Sequence, residues 1–324
     1  MTVEKKTLQN RASVLADVAE MYYLEEKNQA EIAKTVGVTR SMVSRMLTEA
    51  RESGIVEIRI QRPLQSDSEL ESALKEKFGM RDVFVVVTSY GSGERLTRTL
   101  GNAGAKVLAR YIAPQQTLGL AWGTSISATV DAFETTEPMP VKVVQLVGAM
   151  GARNMEYDGH DLVSRIAEKL GGEAYYLNAP YLCQSAEMAN SLLETKSVRE
   201  TINVGKKTDV ALLGIGTTAP EYSSFYLAGY VTRRELDDLR KSGAIGDVCG
   251  LHFDINGEPA CNEFCERLVS IRQPDLLSIP IRLGVAGGEG KAEAILGALR
   301  SKYVNVLVID SLTARKVLAL AKSK

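Results

Sequence analysis

Within Asn28 to Arg51, NQAEIAKTVGVTRSMVSRMLTEAR, two short helical patterns meet at a glycine, and this constrains the chain more than any other stretch. The first pattern, residues 29–36, puts Ile32, Ala33 and Val36 on one face at helical spacing. Asn28 is placed to cap it, with Glu31 three residues on as in a capping box. Gly37 supplies a residue free to take a positive φ at the corner. A second helix follows, with Thr39 as its N-cap and Val43, Met46, Leu47 and Ala50 facing inward. The spacing predicts a helix-turn-helix, whose second helix enters the DNA major groove.

The outer face of that second helix carries Arg40, Ser41, Ser44, Arg45 and Thr48, with Arg51 near its end. Arginine forks onto a guanine edge, while hydroxyls such as those of Thr39 and the helix N-terminus suit bases and phosphates. We therefore read Thr39, Arg40, Ser41, Ser44, Arg45 and Arg51 as the DNA-contacting set. An ordinary helical hairpin with a solvated polar face is the plainer alternative. Bulk charge does not help the first reading: the chain carries a net charge of −1, and residues 1–62 hold ten Lys/Arg against nine Asp/Glu. Affinity for DNA must come from the local arginines and from paired subunits.

Residues 8–24 read as a further helix, with Leu8, Ala12, Leu15, Val18, Ala19 and Tyr22 as its apolar stripe. After Gly54, IVEIRI alternates as a short strand does; it would form the wing of a winged helix, with Arg59 and Arg62 free to touch phosphate. Pro63 and the polar run that follows mark a boundary, giving a DNA-binding domain at 1–62 and a second domain at 63–324.

After a helix at 68–78, short apolar runs alternate with helical patterns to the C-terminus. The runs are VFVVV, TLGLAW, VKVVQLV, AYYL, VALLGIG, VCGLHF, IRLGVA and VNVLVI. Such alternation predicts an α/β domain, a mostly parallel sheet covered by helices on both faces. In such sheets ligands bind beyond the carboxyl ends of strands, at glycine-rich turns that open helices.

Four turns fit. LAWGTSISA offers Gly123, Thr124 and Ser125, and LGVAGGEGKAEAILGAL offers Gly287, Gly288 and Gly290 with Lys291 just inside a helix. Both read as phosphate sites, because hydroxyls or a lysine accompany the glycines. For QLVGAMG, with Gly148, and LLGIGTT, with Gly214 and Gly216, a steric need for glycine explains the turn nearly as well. Neither a P-loop nor a dinucleotide fingerprint nor a hydrolase elbow is present. Trp122, the sole tryptophan, reads as core. Asp247, among glycines in GAIGDVCGLHFDING, is placed either to accept ligand hydroxyls or to bond its own turn.

The four cysteines form no C-x-x-C pair, and only His160 and His252 are available to join Cys261 and Cys265. Reduced thiols, with no metal site and no cofactor, are the expectation. The N-terminal MTVEKKTLQN lacks the apolar core of a secretory signal, and no apolar run approaches a membrane span. A cytoplasmic protein without membrane contact is expected.

EIAKTVGVTRSMVSRML, GLAWGTS, QLVGAMG, DVALLGIGT, GAIGDVCGLHFDING and VAGGEGKAEAILGALRSKYVNVLVID together resemble the SorC-type sugar-responsive transcriptional regulators of bacteria. That family includes the deoxyribonucleoside regulator and the central glycolytic gene regulator. The resemblance spans essentially the whole chain. It implies an effector domain similar in fold to ribose-5-phosphate isomerase and glucosamine-6-phosphate deaminase, and a phosphorylated sugar as effector. It further implies that Gly123, Thr124 and Ser125 hold the phosphate with Lys291 nearby. Gln145, Gly148, Gly216 and Asp247 would line the sugar side, with Arg233 or Arg234 adding charge. Partners would be double-stranded operator DNA and a second or further copies of the chain, as homodimer or homotetramer. The competing expectation is a sugar-phosphate isomerase or deaminase with an accessory helical domain. Against it stands the scarcity of acid/base groups: two histidines, neither in a glycine-rich turn.

Overall fold

The computed structural model describes residues 3–56, 58, 64–151 and 157–322, with side-chain burial described from Arg11 onward. Arg59, Arg62, the side chain of Leu8 and most of the expected wing strand lie outside the described residues. The chain divides into two compact units, Met1–Pro63 and Leu64–Lys324.

The first unit is a bundle of α1 (Val3–Tyr23), α2 (Gln29–Val36) and α3 (Arg40–Glu52). Each end of α2 is closed as its sequence demands. The Asn28 side chain accepts from the backbone of Ala30 and Glu31, and the Glu31 carboxylate accepts from Asn28 N, completing the capping box. Gly37 ends α2 in the left-handed region at φ 75°, and Thr39 caps α3 by accepting from Met42 N. Leu15, Val18, Ala19, Ile32, Ala33, Val43, Met46, Leu47 and Ala50 form the core. The stripe on α1 sits differently from the expected one. Ala12 and Tyr22 are exposed, and Val14 and Met21 pack instead, because the buried seam centres on Leu15, Val18 and Ala19. Arg11 on α1 pairs with Glu49 on α3 through two hydrogen bonds, tying the flanking helix to the helix that carries the arginine face.

The second unit opens with α4 (Ser68–Phe78), β1 (Asp82–Val86), α5 (Glu94–Tyr111), β2 (Thr117–Leu120), α6 (Thr124–Ala132) and β3 (Lys142–Gln145). Next come α7 (Gly159–Leu170), β4 (Glu173–Tyr175), α8 (Ala186–Glu194), α9 (Lys196–Gly205), β5 (Val210–Leu213) and β6 (Gly216–Thr217). The chain continues through α10 (Ser224–Leu227), α11 (Arg233–Lys241), β7 (Gly246–Val248), β8 (Leu251–Phe253), α12 (Glu263–Glu266) and α13 (Gln273–Ser278). It closes with β9 (Ile281–Val285), α14 (Ala292–Arg300), β10 (Val306–Asp310) and α15 (Ser311–Lys322).

Seven strands form one parallel sheet in the order β1-β10-β9-β5-β2-β3-β4. Alternate residues of β5 and β10 enter separate cores. Leu213, Leu307 and Ile309 join one, and Leu212, Val306 and Val308 join the other. Both faces are therefore covered, as the continuous apolar runs require. VCGLHF departs from the expected parallel set. It forms β7 and β8, which with β6 make a separate antiparallel sheet of three strands. The cause lies in its middle: Cys249 and Gly250 take positive φ, 53° and 76°, and so make the tight turn of a hairpin. Among the described residues no helix is long and apolar enough to cross a membrane.

The sheet order fixes where a ligand fits. β2 and β5 are hydrogen-bonded neighbours, and from them the chain runs to β3 and β4 on one side and to β9 and β10 on the other. Such a reversal opens a crevice beyond the carboxyl ends of the two strands.

Candidate functional sites

In the first unit, Thr39, Arg40, Ser41, Ser44, Arg45, Thr48 and Arg51 are all exposed on α3, opposite the buried Val43, Met46 and Leu47. Some polar groups are partly engaged locally: the Thr48 hydroxyl donates to Ser44 O and accepts from Arg51 Nη2. The Thr39 and Ser41 hydroxyls lie 3.0 Å apart at the N-terminus of α3. Met42, a large apolar side chain, is exposed beside them.

In the second unit a cavity of about 580 Å³ opens beyond β2. Trp122, Gly123 and Thr124, which lead from β2 into α6, form one wall. Met150 and Tyr157 lie along another, and Ser224, Leu227, Ala228 and Tyr230 from α10 and the turn after it complete the lining. Gly123 takes φ 125°, which an L side chain rarely adopts, and its N–H donates to Tyr157 O at 3.1 Å. No side chain among the described residues caps α6 at Gly123, so its N-terminal amides are open to an anion. Ser125 follows, half-buried, its carbonyl taken by the Thr129 hydroxyl.

The other expected residues separate into two groups. Gly216, Asp247 and Lys291 come together apart from the residues that line the cavity. Gly216 pairs with Asp247 across the β6–β7 ladder, and a Cβ at 216 would collide with the Asp247 carboxylate. Asp247 also accepts from Gly250 N at 3.0 Å, so it closes its own hairpin as well as facing this cluster. Lys291 forms the junction between a short 3-10 turn and α14, rather than sitting inside the helix. Its ammonium donates to Ile215 O at 3.2 Å. Burial lowers its pKa below the ordinary lysine value, and the Asp247 charge opposes that shift. Tyr181 links cluster and cavity: its ring centroid is 6.3 Å from that of Trp122, and burial and the Asp247 carboxylate push its hydroxyl pKa well up.

The remaining glycines and Gln145 make contacts within the scaffold. A Cβ at Gly148 would lie 2.6 Å from the backbone of Pro180 and Tyr181, so close strand crossing explains it. Gly287 faces buried Asp310, whose Oδ2 also accepts from Gly288 N at 2.9 Å and from the Thr313 hydroxyl. That internal carboxylate takes the Gly288 amide expected for a phosphate. Gln145, buried at the end of β3, accepts from Leu177 N and leaves its Nε2 without a partner among the described residues. Arg233 pairs with Asp237 on exposed α11, and Arg234 is exposed beside it.

Trp122, expected in the core, packs half-buried against it and also lines the cavity, and with Tyr181 and Phe225 it forms an aromatic shell. Tyr157, Ser224, Leu227 and Tyr230 were missed, since their loops carry no glycine-hydroxyl pattern. Cys261 and Cys265, expected as free thiols, are joined in a disulfide, whereas Cys183 and Cys249 are free and buried. Asn262, between Cys261 and Cys265 in sequence, caps the single turn of α12 that carries Cys265.

This arrangement, a three-helix DNA-reading module and a parallel-sheet unit with a cavity at its switch point, defines an effector-responsive regulator. The sugar-binding domain family model matches residues 62–319, and that of sigma-70 region 4, a helix-turn-helix module, matches 16–53. The deoxyribonucleoside regulator of Bacillus subtilis is 30% identical over 299 residues, covering 92% of this chain and 95% of that protein. The sorbitol operon regulator of Klebsiella pneumoniae is 30% identical over 307 residues, covering 94% and 97%. The crystal structure of the full-length sorbitol operon regulator SorC from Klebsiella pneumoniae matches with a TM-score of 0.72 at 28% identity, over 95% of this chain and 99% of that one. The chain belongs to the SorC-type family of sugar-responsive transcriptional regulators. It is a DNA-binding regulator and not an enzyme.

Proposed function

We propose that this regulator is an oligomeric cytoplasmic protein that controls a carbohydrate catabolic operon and reads a phosphorylated sugar in the cavity beyond β2. The observation that carries the reading is the uncapped N-terminus of α6, with Gly123 and Thr124 in the cavity wall at the strand-order reversal. Backbone amides and the Thr124 and Ser125 hydroxyls suit phosphate oxygens there. The Trp122 and Tyr230 rings suit the apolar face of a sugar, and Tyr181, packed on Trp122, joins the cavity to the Asp247 and Lys291 cluster. The domain division at 62/63 follows from the same reading: residues 1–62 bind operator DNA and 63–324 bind effector and partner subunits.

Calorimetric titration of a panel of sugar phosphates, each beside its unphosphorylated parent, tests the proposal. We expect one phosphorylated member to bind and to change operator affinity, and its parent to bind at least tenfold more weakly, a difference of about 1.4 kcal/mol. Equal binding of parent and phosphate would overturn the phosphate assignment. Unchanged operator affinity with effector bound would overturn the control.

A further inference from the structure

Away from the cavity, the imidazole of His252 faces the sulfurs of Cys261 and Cys265. The three donor atoms lie within 4.8 Å of one another. His252 Nδ1 is 3.3 Å from Cys265 Sγ and 2.9 Å from Gly250 O. His252 is buried on β8, Cys265 is half-buried and Cys261 is exposed. The segment between them is fixed, since Ala260 N donates to His252 O at 3.1 Å and Asn262 caps α12. A disulfide by itself has no use for a buried imidazole aimed at its sulfurs. One nitrogen and two sulfurs converging on one point are a donor set for a borderline-soft divalent cation.

We propose that in the reduced chain His252, Cys261 and Cys265 bind one zinc-class cation. The disulfide is the oxidised form of the same site, reached when an oxidant such as dioxygen or a second disulfide takes two electrons from the thiolates and the cation leaves. Around tetrahedral zinc, bonds of about 2.3 Å to sulfur and about 2.0 Å to nitrogen place donors roughly 3.5–3.8 Å apart. The Cys Cα atoms, 6.1 Å apart, allow that spacing once the sulfurs separate. Binding converts both thiols to thiolates and releases two protons. The proton on Nδ1 moves to Nε2, at the cost of the hydrogen bond to Gly250 O. Solvent reaches the exposed Cys261 side, where water completes the coordination. The cation would pin α12 to β8 and so hold Phe264, whose ring is 6.1 Å from Phe225 in the aromatic shell of the cavity.

The test uses full-length protein without a histidine tag. A water-soluble phosphine reduces the disulfide: it transfers two electrons, water supplies two protons and the oxygen, and two thiols and the phosphine oxide result. Cobalt is then added as a spectroscopic stand-in, and zinc in competition with a chromophoric chelator. We expect one equivalent of tightly held metal, a thiolate-to-cobalt charge-transfer band, and loss of both in Cys261→Ser. This exposed position tolerates the change, so misfolding does not confuse the result. His252→Gln should weaken retention at least tenfold wherever its circular dichroism matches the wild type. No charge-transfer band, or an equivalent retained unchanged in Cys261→Ser, overturns the proposal and leaves the pair as a disulfide only.

Discussion

At the scale of single residues, Lys291 shows how burial turns an ordinary side chain into a probe of the site. An ammonium has three donors, and among the described residues Lys291 uses one, to Ile215 O. Two donors remain, in a place where desolvation lowers the pKa, and under the proposed function they serve a ligand oxygen. Lys291→Met should therefore weaken effector binding about tenfold to a hundredfold, the typical weight of a charge-assisted hydrogen bond. Operator affinity without effector should not change. Calorimetry and an operator titration at fixed salt check the two halves, and wild-type effector affinity would remove Lys291 from the site. The lowered pKa sets a pH dependence as well. Effector affinity should fall as pH rises through the lowered value, before the ordinary lysine range near 10.4. Stability moves the opposite way. Between the lowered and ordinary values the unfolded chain holds more protons, so the unfolding free energy rises with pH there. Titrations at rising pH should show the first trend in wild type and not in Lys291→Met.

At the scale of elements, the turn between α2 and α3 isolates a purely conformational cost. Gly37 has φ 75°, and a Cβ placed there would meet nothing within 4 Å. Gly37→Ala should thus lose about 1–2 kcal/mol through left-handed strain alone, and Gly37→Asn less. Urea unfolding followed by circular dichroism measures it; an unchanged midpoint would mean that the corner relaxes. Arg45→Ala removes an exposed side chain from α3 and should cost operator affinity about 1–3 kcal/mol with no loss of stability. These elements were legible in sequence because their determinants are local: Asn28, Glu31, Gly37 and Thr39 each act within four residues. The strands of the parallel sheet were legible as continuous apolar runs for a similar reason. The cavity was legible only at Gly123 and Thr124. Its other walls come from loops brought together by strand order, which no spacing in the sequence encodes. Gly148 and Gly287 have a steric reason to be glycine that the sequence does not display. Their glycines answer to Pro180 and Asp310, distant in sequence.

At the scale of the whole molecule, charge and symmetry decide how a chain of net charge −1 holds DNA. Bulk attraction is absent, and one α3 offers only Arg40, Arg45, Arg51 and a few hydroxyls, too few contacts for a specific site. Two copies on one duplex would double the contacts and read two half-sites, so the proposed oligomer is one that presents paired α3 helices. We expect a homodimer or homotetramer by light scattering, free and DNA-bound, and a pseudo-palindromic operator. Paired recognition helices engage one face of the duplex, with half-site centres one or more turns of about 10 base pairs apart. Inserting about 5 base pairs between half-sites should place the second on the far face and reduce affinity to that of a single half-site. Inserting about 10 should restore the facing and recover part of the loss. A monomer on DNA, or equal affinity for both insertions, would contradict paired reading, because a lone α3 has no means of sensing the distance between half-sites.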